Sequence, residues 1–103
     1  MSINEAWAIG LFEGEGCISI PKTCNSAIMT VKTTDLDVAQ RLQDIWGGRL
    51  YKVKRSQSNI KQPYVWKLQN KPVVRRILSN IIPHLSERRA CKASDAIDRI
   101  DNC

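Results

Sequence analysis

Residues 3 to 12, Ile-Asn-Glu-Ala-Trp-Ala-Ile-Gly-Leu-Phe, constrain this chain more than any other segment. Ser2 and Glu5 have the spacing of a capping box, which predicts a helix starting near Ile3. From Ala6 to Phe12 no charge interrupts the apolar run, which ends in Glu13-Gly14-Glu15-Gly16. A helix that is apolar all round is buried on most of its circumference. The chain has 103 residues, enough for one core and hence one domain over 1–103. Such a helix must therefore pack on its own sheet and on something else.

The remaining pattern supplies that sheet. Cys17 to Pro21 alternates apolar and small polar residues, as a half-buried strand does, and Ala27 to Thr33 reads as its hairpin partner. Thr34 is placed to cap a helix over Asp35 to Trp46, stopped by Gly47 and Gly48. Arg49 to Arg55 and Tyr64 to Asn70 form a second strand pair, joined by a polar loop. Pro72 opens a helix that Pro83 ends, and Ser86 caps a last one with Ala90, Ala93, Ile97 and Ile100 on one side. The expected class is α+β: a four-stranded antiparallel sheet with helices on one face and the other face free.

Charge is distributed unevenly along this frame. Sixteen Lys and Arg outnumber ten Asp and Glu, for a net charge of +6. Residues 45 to 86 hold nine of the bases and no acid. A segment without acids suits a polyanion, since each cation set on a phosphate releases condensed counterions. Strand parity puts Ile18, Ile20, Met29, Val31, Tyr51, Val53, Tyr64, Trp66 and Leu68 toward the helices. Cys17, Ser19, Thr30, Lys32, Lys52, Lys54, Lys67 and Gln69 then share the open face. A solvated sheet has this pattern too; the excess of lysine without acid partners favours nucleic acid.

Other chemistries are excluded or weakened. Cys17, Cys24, Cys91 and Cys103 form no C-x-x-C pair, and His84 is the one histidine, so the thiols read as reduced and zinc is not expected. No uncharged run has the length of a membrane span. An acid stands in Met1 to Gly10 where a secretory leader carries bases, so the expected location is the cytoplasm.

Glu13 and Glu15 lie two apart at a helix C-terminus, where they cannot chelate one ion together and where the macrodipole disfavours them. Each needs a cation, supplied by a Lys or Arg or by a hard divalent metal. One carboxylate per chain makes a poor metal site, so a metal would require the same helix from a second subunit. Gly10 and Gly14, four apart, leave room for two such helices to approach.

Ala8-Ile-Gly-Leu-Phe-Glu-Gly-Glu-Gly16 resembles the nine-residue signature of the LAGLIDADG homing endonucleases, with both acids and the glycines in register. The Cys17–Ile20 strand, Thr33-Thr34-Asp35, Gly47-Gly48 and Pro83 to Arg89 are similar to the family's later landmarks, so the likeness covers nearly the whole chain. One signature copy implies a homodimer, its interface formed by Trp7, Gly10, Leu11 and Gly14. The resemblance further implies magnesium between paired Glu15 carboxylates, with Gly14 carbonyls adding ligands and manganese or calcium able to substitute in binding. The implied activity is hydrolysis of both strands of a near-palindromic double-stranded DNA site.

In the family pattern a lysine precedes a glutamine near the start of the last helix; here Arg88 and Cys91 stand at those positions. Arginine keeps the positive charge at the catalytic site but cannot shuttle a proton. By the same resemblance the open sheet face becomes a DNA-reading saddle. Lys52, Lys54 and Lys67, with Ser19, Thr30, Lys32 and Gln69, reach base edges, and Arg55 and Lys61 reach phosphates. The alternative is a sequence-specific DNA-binding, or intron RNA-binding, protein of the same fold that does not cleave.

Overall fold

A computed structural model describes residues 2–21, 26–53 and 62–101. The order is α1 (Ile3–Glu15), β1 (Gly16–Ser19), β2 (Ile28–Thr33), α2 (Leu36–Trp46), β3 (Arg49–Lys52), β4 (Tyr64–Leu68), α3 (Lys71–Ile81), a 3-10 turn (Ile82–His84) and α4 (Glu87–Asp101). The strands form one antiparallel sheet in the order β1-β2-β4-β3. This is the α+β arrangement expected, with the helices packed over one face.

Local chemistry sets most boundaries. Ser2 Oγ accepts from the Glu5 N–H at 3.1 Å and starts α1. Asn70 caps α3 by accepting from the Val73 N–H at 3.3 Å, with Pro72 in the first turn where its missing N–H costs nothing. The second helix starts one residue later than expected. Asp35 is its cap residue, and the Thr33 hydroxyl accepts from the Asp35 N–H at 3.1 Å, so Thr34 has no capping part.

The largest fully buried side chains of the core are Phe12, Met29, Val31, Leu42, Trp66, Val74 and Leu78. Trp46 lies between Phe12 and Trp66, with ring centroids 6.2 and 5.9 Å away. The Trp66 indole donates to the Gly47 carbonyl at 2.6 Å, satisfying its one polar atom. Gly47 and Gly48 have φ of 76° and 98°, which only glycine adopts without strain. A Cβ on Gly48 would stand 2.8 Å from the Lys67 carbonyl oxygen, so this turn holds the start of β3 hard against β4. Across the far end of the fold, Arg75 makes a two-pronged bond to Asp101 at 2.7 and 3.0 Å, tying α3 to α4.

Within the chain α1 is covered on one side only: Ala8, Ile9 and Phe12 are buried, whereas Ile3, Ala6, Gly10 and Gly14 are exposed, Ile3 at 85%. One expectation changes: the parity assigned to the third strand is reversed. Leu50 is partnered with Trp66 and Lys52 with Tyr64, so Lys52 shares the helix-side face and Tyr51 lies on the open one. Of two adjacent large residues only one can face the core. Leu50 needs no hydrogen-bond partner there, while Tyr51 would bury a hydroxyl. Val53, beyond the strand, continues the parity of Tyr51.

Candidate nucleic-acid interface

The open face is assembled in rows by the pairing register. One row crosses all four strands: Cys17 opposite Thr30, Thr30 opposite Lys67, and Lys67 opposite Arg49. A second sets Lys32 opposite Val65 and Val65 opposite Tyr51. A third pairs Ser19 with Ile28. No acidic side chain belongs to these rows. Such a face presents cations, hydroxyls and a thiol at strand spacing, the donor-rich surface a phosphate backbone or base edges attract.

Of the residues expected here, Ser19, Thr30, Lys32 and Lys67 are on the face and Lys52 is not. Lys54, Arg55 and Lys61, like Cys24 and Cys103, lie outside the described residues. Gln69 sits just past β4, in a hollow of about 510 Å³ that also includes Gly48, Arg49, Lys67 and Asn70. Arg49 and Tyr51 were missed, the latter 44% exposed. Their signal was available: once Leu50 is placed inward against Trp66, its two neighbours must point outward.

Beside this face lies the acidic end of α1. The two glutamates have different surroundings. Glu13 Oε2 accepts from the Ser86 backbone N–H at 3.2 Å and lies 3.8 Å from Arg89 Nε. Hydrogen bonding from Ser86 holds its carboxyl below the usual range, with desolvation opposing and the charges of Arg89 and Arg88 assisting. Glu13 thus caps the start of α4, and its cation is Arg89. The Arg89 guanidinium also donates to the Gly16 carbonyl, so one side chain joins the end of α1, the start of β1 and the first turn of α4. Glu15 is exposed, and among the described residues no hydrogen bond or ion pair is assigned to its carboxylate.

Gly16 permits this junction. Its backbone is extended, with φ −82°, so conformation does not demand glycine. Space does: a Cβ there would stand within 2.6 Å of three atoms of the buried Phe12 ring. By contrast, nothing lies within 4 Å of a Cβ on Gly10 or Gly14. Trp7 and Leu11 flank that bare stripe and are half-buried against the core, Trp7 with the Arg41 guanidinium 4.2 Å above its ring.

Arg88 is exposed at the start of α4. It lines a hollow of about 490 Å³ with Gly16, Cys17, Arg89 and Cys91, so the fold brings it beside the α1–β1 junction. Among the described residues no three His, Cys, Asp or Glu side chains gather as a metal site, and no helix is long and apolar enough to cross a membrane.

No family model matches the sequence, and no curated protein does. Solved structures do. A homing endonuclease, I-CvuI, in complex with its target in the presence of calcium superimposes with a TM-score of 0.71 at 19% identity, over 96% of this chain and 66% of that one. An archaeal intron-encoded homing endonuclease, I-Vdi141I, complexed with DNA, gives 0.66 at 17% identity, over 95% and 69%. I-CvuI with another target and magnesium, its DNA not cleaved, gives 0.68 at 20% identity, over 96% and 66%. This chain therefore spans about two thirds of the length of these neighbours. Its fold is the α+β fold of the homing endonucleases.

Proposed function

We propose that this chain is a single-motif LAGLIDADG homing endonuclease: a homodimer that cuts both strands of a near-palindromic DNA site by metal-dependent hydrolysis. The observation that carries the reading is the stripe on α1. Gly10 and Gly14 are bare and exposed, and that stripe runs to an exposed Glu15, unpaired among the described residues, beside a sheet face without acids. A second copy of α1 laid along the stripe would cover the apolar surface and bring two Glu15 carboxylates to one axis. The neighbours, homing endonucleases solved with DNA, support the same reading.

The donor set fits a hard divalent ion only as a pair. One chain offers the Glu15 carboxylate and backbone carbonyl oxygens at the end of α1 such as that of Gly14, beyond Phe12, whose own carbonyl accepts from the Gly16 N–H. These are oxygen donors of the kind magnesium takes, but too few in one copy for an octahedral shell. When bound, magnesium would supply Lewis-acid polarisation of the scissile phosphate and a more acidic water. The protein's own part is positioning. Glu13, Arg89 and Gly16 lock the end of α1 to α4, so Glu15 is presented from a fixed backbone. Arg88 supplies a guanidinium that stabilises charge on phosphate without moving a proton.

The test is cleavage of a plasmid carrying a selected site, with magnesium, by wild type and by Glu15→Gln. Double-strand cutting by wild type, lost in Glu15→Gln while gel-shift binding survives, supports the proposal. Binding by wild type with no cutting under magnesium, manganese or calcium selects a DNA-binding protein that has lost catalysis. Sedimentation as a monomer, bound one to one with duplex, overturns the shared site.

A further inference from the structure

Arg49 and Lys67 are direct cross-strand partners on the open face, at the β3–β4 edge. Opposed residues on antiparallel strands stand about 4.5–5.5 Å apart at Cα, and like charges so placed repel. Neutralisation is absent: among the described residues no ion pair reaches either side chain. The neighbouring sequence from 45 to 86 contains no carboxylate to supply one. The fold nevertheless enforces the pairing, because Gly48 lets β3 approach the Lys67 carbonyl and Trp66 anchors the Gly47 turn. The two residues also border a hollow of about 510 Å³ with Gln69 and Asn70 on one side and Trp46, Leu68 and Val73 on the other, and the Asn70 side chain is already committed to capping α3. Two cations held together without an acid lower their energy when acceptors enter between them.

We propose that Arg49 and Lys67 select guanine at two neighbouring positions of each half-site; the inference rests on the DNA-binding reading above. Guanine is the base that presents two acceptors, N7 and O6, on its major-groove edge. The planar fork of Arg49 fills both at once, which leaves Lys67 for the acceptors of the adjacent guanine. Stacked bases rise by about 3.4 Å per step, within the span of two long side chains rooted on paired residues. Arg49 is thus a specificity-determining residue, and Lys52, on the other face, is not.

The experiment is selection from a randomised duplex pool by the intact protein, comparing wild type, Arg49→Ala, Arg49→Lys and Lys67→Ala. Circular dichroism and melting checks confirm that the exposed substitution Arg49→Ala keeps the fold. Wild type should enrich adjacent guanines, and Arg49→Ala should lose about 10-fold or more discrimination at one of them, with the rest of the site kept. Arg49→Lys, which keeps the charge but not the fork, should recover affinity with weakened selectivity. Placing 7-deazaguanine at that position should weaken wild type and leave Arg49→Ala unaffected. Uniform weakening of all duplexes by Arg49→Ala, with a salt slope shallower by about 1, would mark a phosphate contact and overturn the inference while leaving DNA binding intact. Failure of wild type to enrich any duplex overturns both.

Discussion

Gly16→Ala tests whether the junction between α1 and β1 is set by space rather than by backbone freedom. With φ of −82° alanine is conformationally welcome, so any cost must come from the added methyl. That methyl would lie within 2.6 Å of three Phe12 ring atoms, well inside contact distance. The ring cannot withdraw, because Phe12 is fully buried and packs edge-on against Trp46 at 6.2 Å. Overpacking of this kind costs about 1–3 kcal/mol. For a domain of this size each kcal/mol lowers the melting temperature by about 4–8 °C, so the expected fall is roughly 5–20 °C. Calorimetry of Gly16→Ala, Phe12→Leu and the double variant measures it. Shrinking the ring should relieve the clash, so the double variant should be more stable than the sum of the single costs requires, by about 0.5 kcal/mol or more. Gly14→Ala, whose methyl meets nothing within the chain, serves as the control for intrachain packing, read at a concentration where sedimentation shows monomer. A wild-type melting temperature for Gly16→Ala, or strict additivity with Phe12→Leu, would refute the packing argument.

Further outcomes follow from neighbouring features. Gly48→Ala should destabilise by about 1–3 kcal/mol in denaturant melts, since φ of 98° is strained for alanine and its methyl meets the Lys67 carbonyl. Gly10→Ala should have the opposite sign, stabilising the isolated chain by about 0.5–1 kcal/mol through helix propensity, and should weaken the proposed dimer in sedimentation. Trp66→Phe leaves the Gly47 carbonyl without its indole donor and should cost about 1–3 kcal/mol, read by urea unfolding. Glu13, with its folded pKa lowered, contributes stability that is present above the ordinary carboxylate value and lost as pH falls through the folded one. Glu13→Gln should therefore flatten the acid limb of a stability–pH curve, leaving the part due to Asp101, whose carboxyl is lowered by hydrogen bonding from Arg75.

What the sequence disclosed depended on the range of the signal. Helix α1 and its Ser2 cap, the glycine stop after Trp46 and the Asn70–Pro72 start of α3 are local devices, and they were readable or nearly so. Strand β3 was harder. In Arg49-Leu50-Tyr51-Lys52 two large residues adjoin, so alternation supports both phases, and the partner strand decided between them. That one slip moved Lys52 off the open face and hid Arg49 and Tyr51. The part played by Glu13 could not be read at all, since its partner Ser86 lies 73 residues away. Two glutamates of like sequence setting differ because α4 reaches one and not the other.

The β2–β4 seam has a kinetic consequence. Each hairpin joins segments close in the chain, but Thr30 and Lys67 meet only when the two hairpins zip together along the centre of the sheet. Closing that long loop is the slow, entropically opposed event of such a topology. A nascent chain holds Cys17 and Thr30 in one half and Arg49 and Lys67 in the other, and neither fragment bears a complete stripe. Under the proposed DNA-binding reading, affinity for duplex should accordingly appear late during refolding, in step with tertiary signals rather than with early ellipticity.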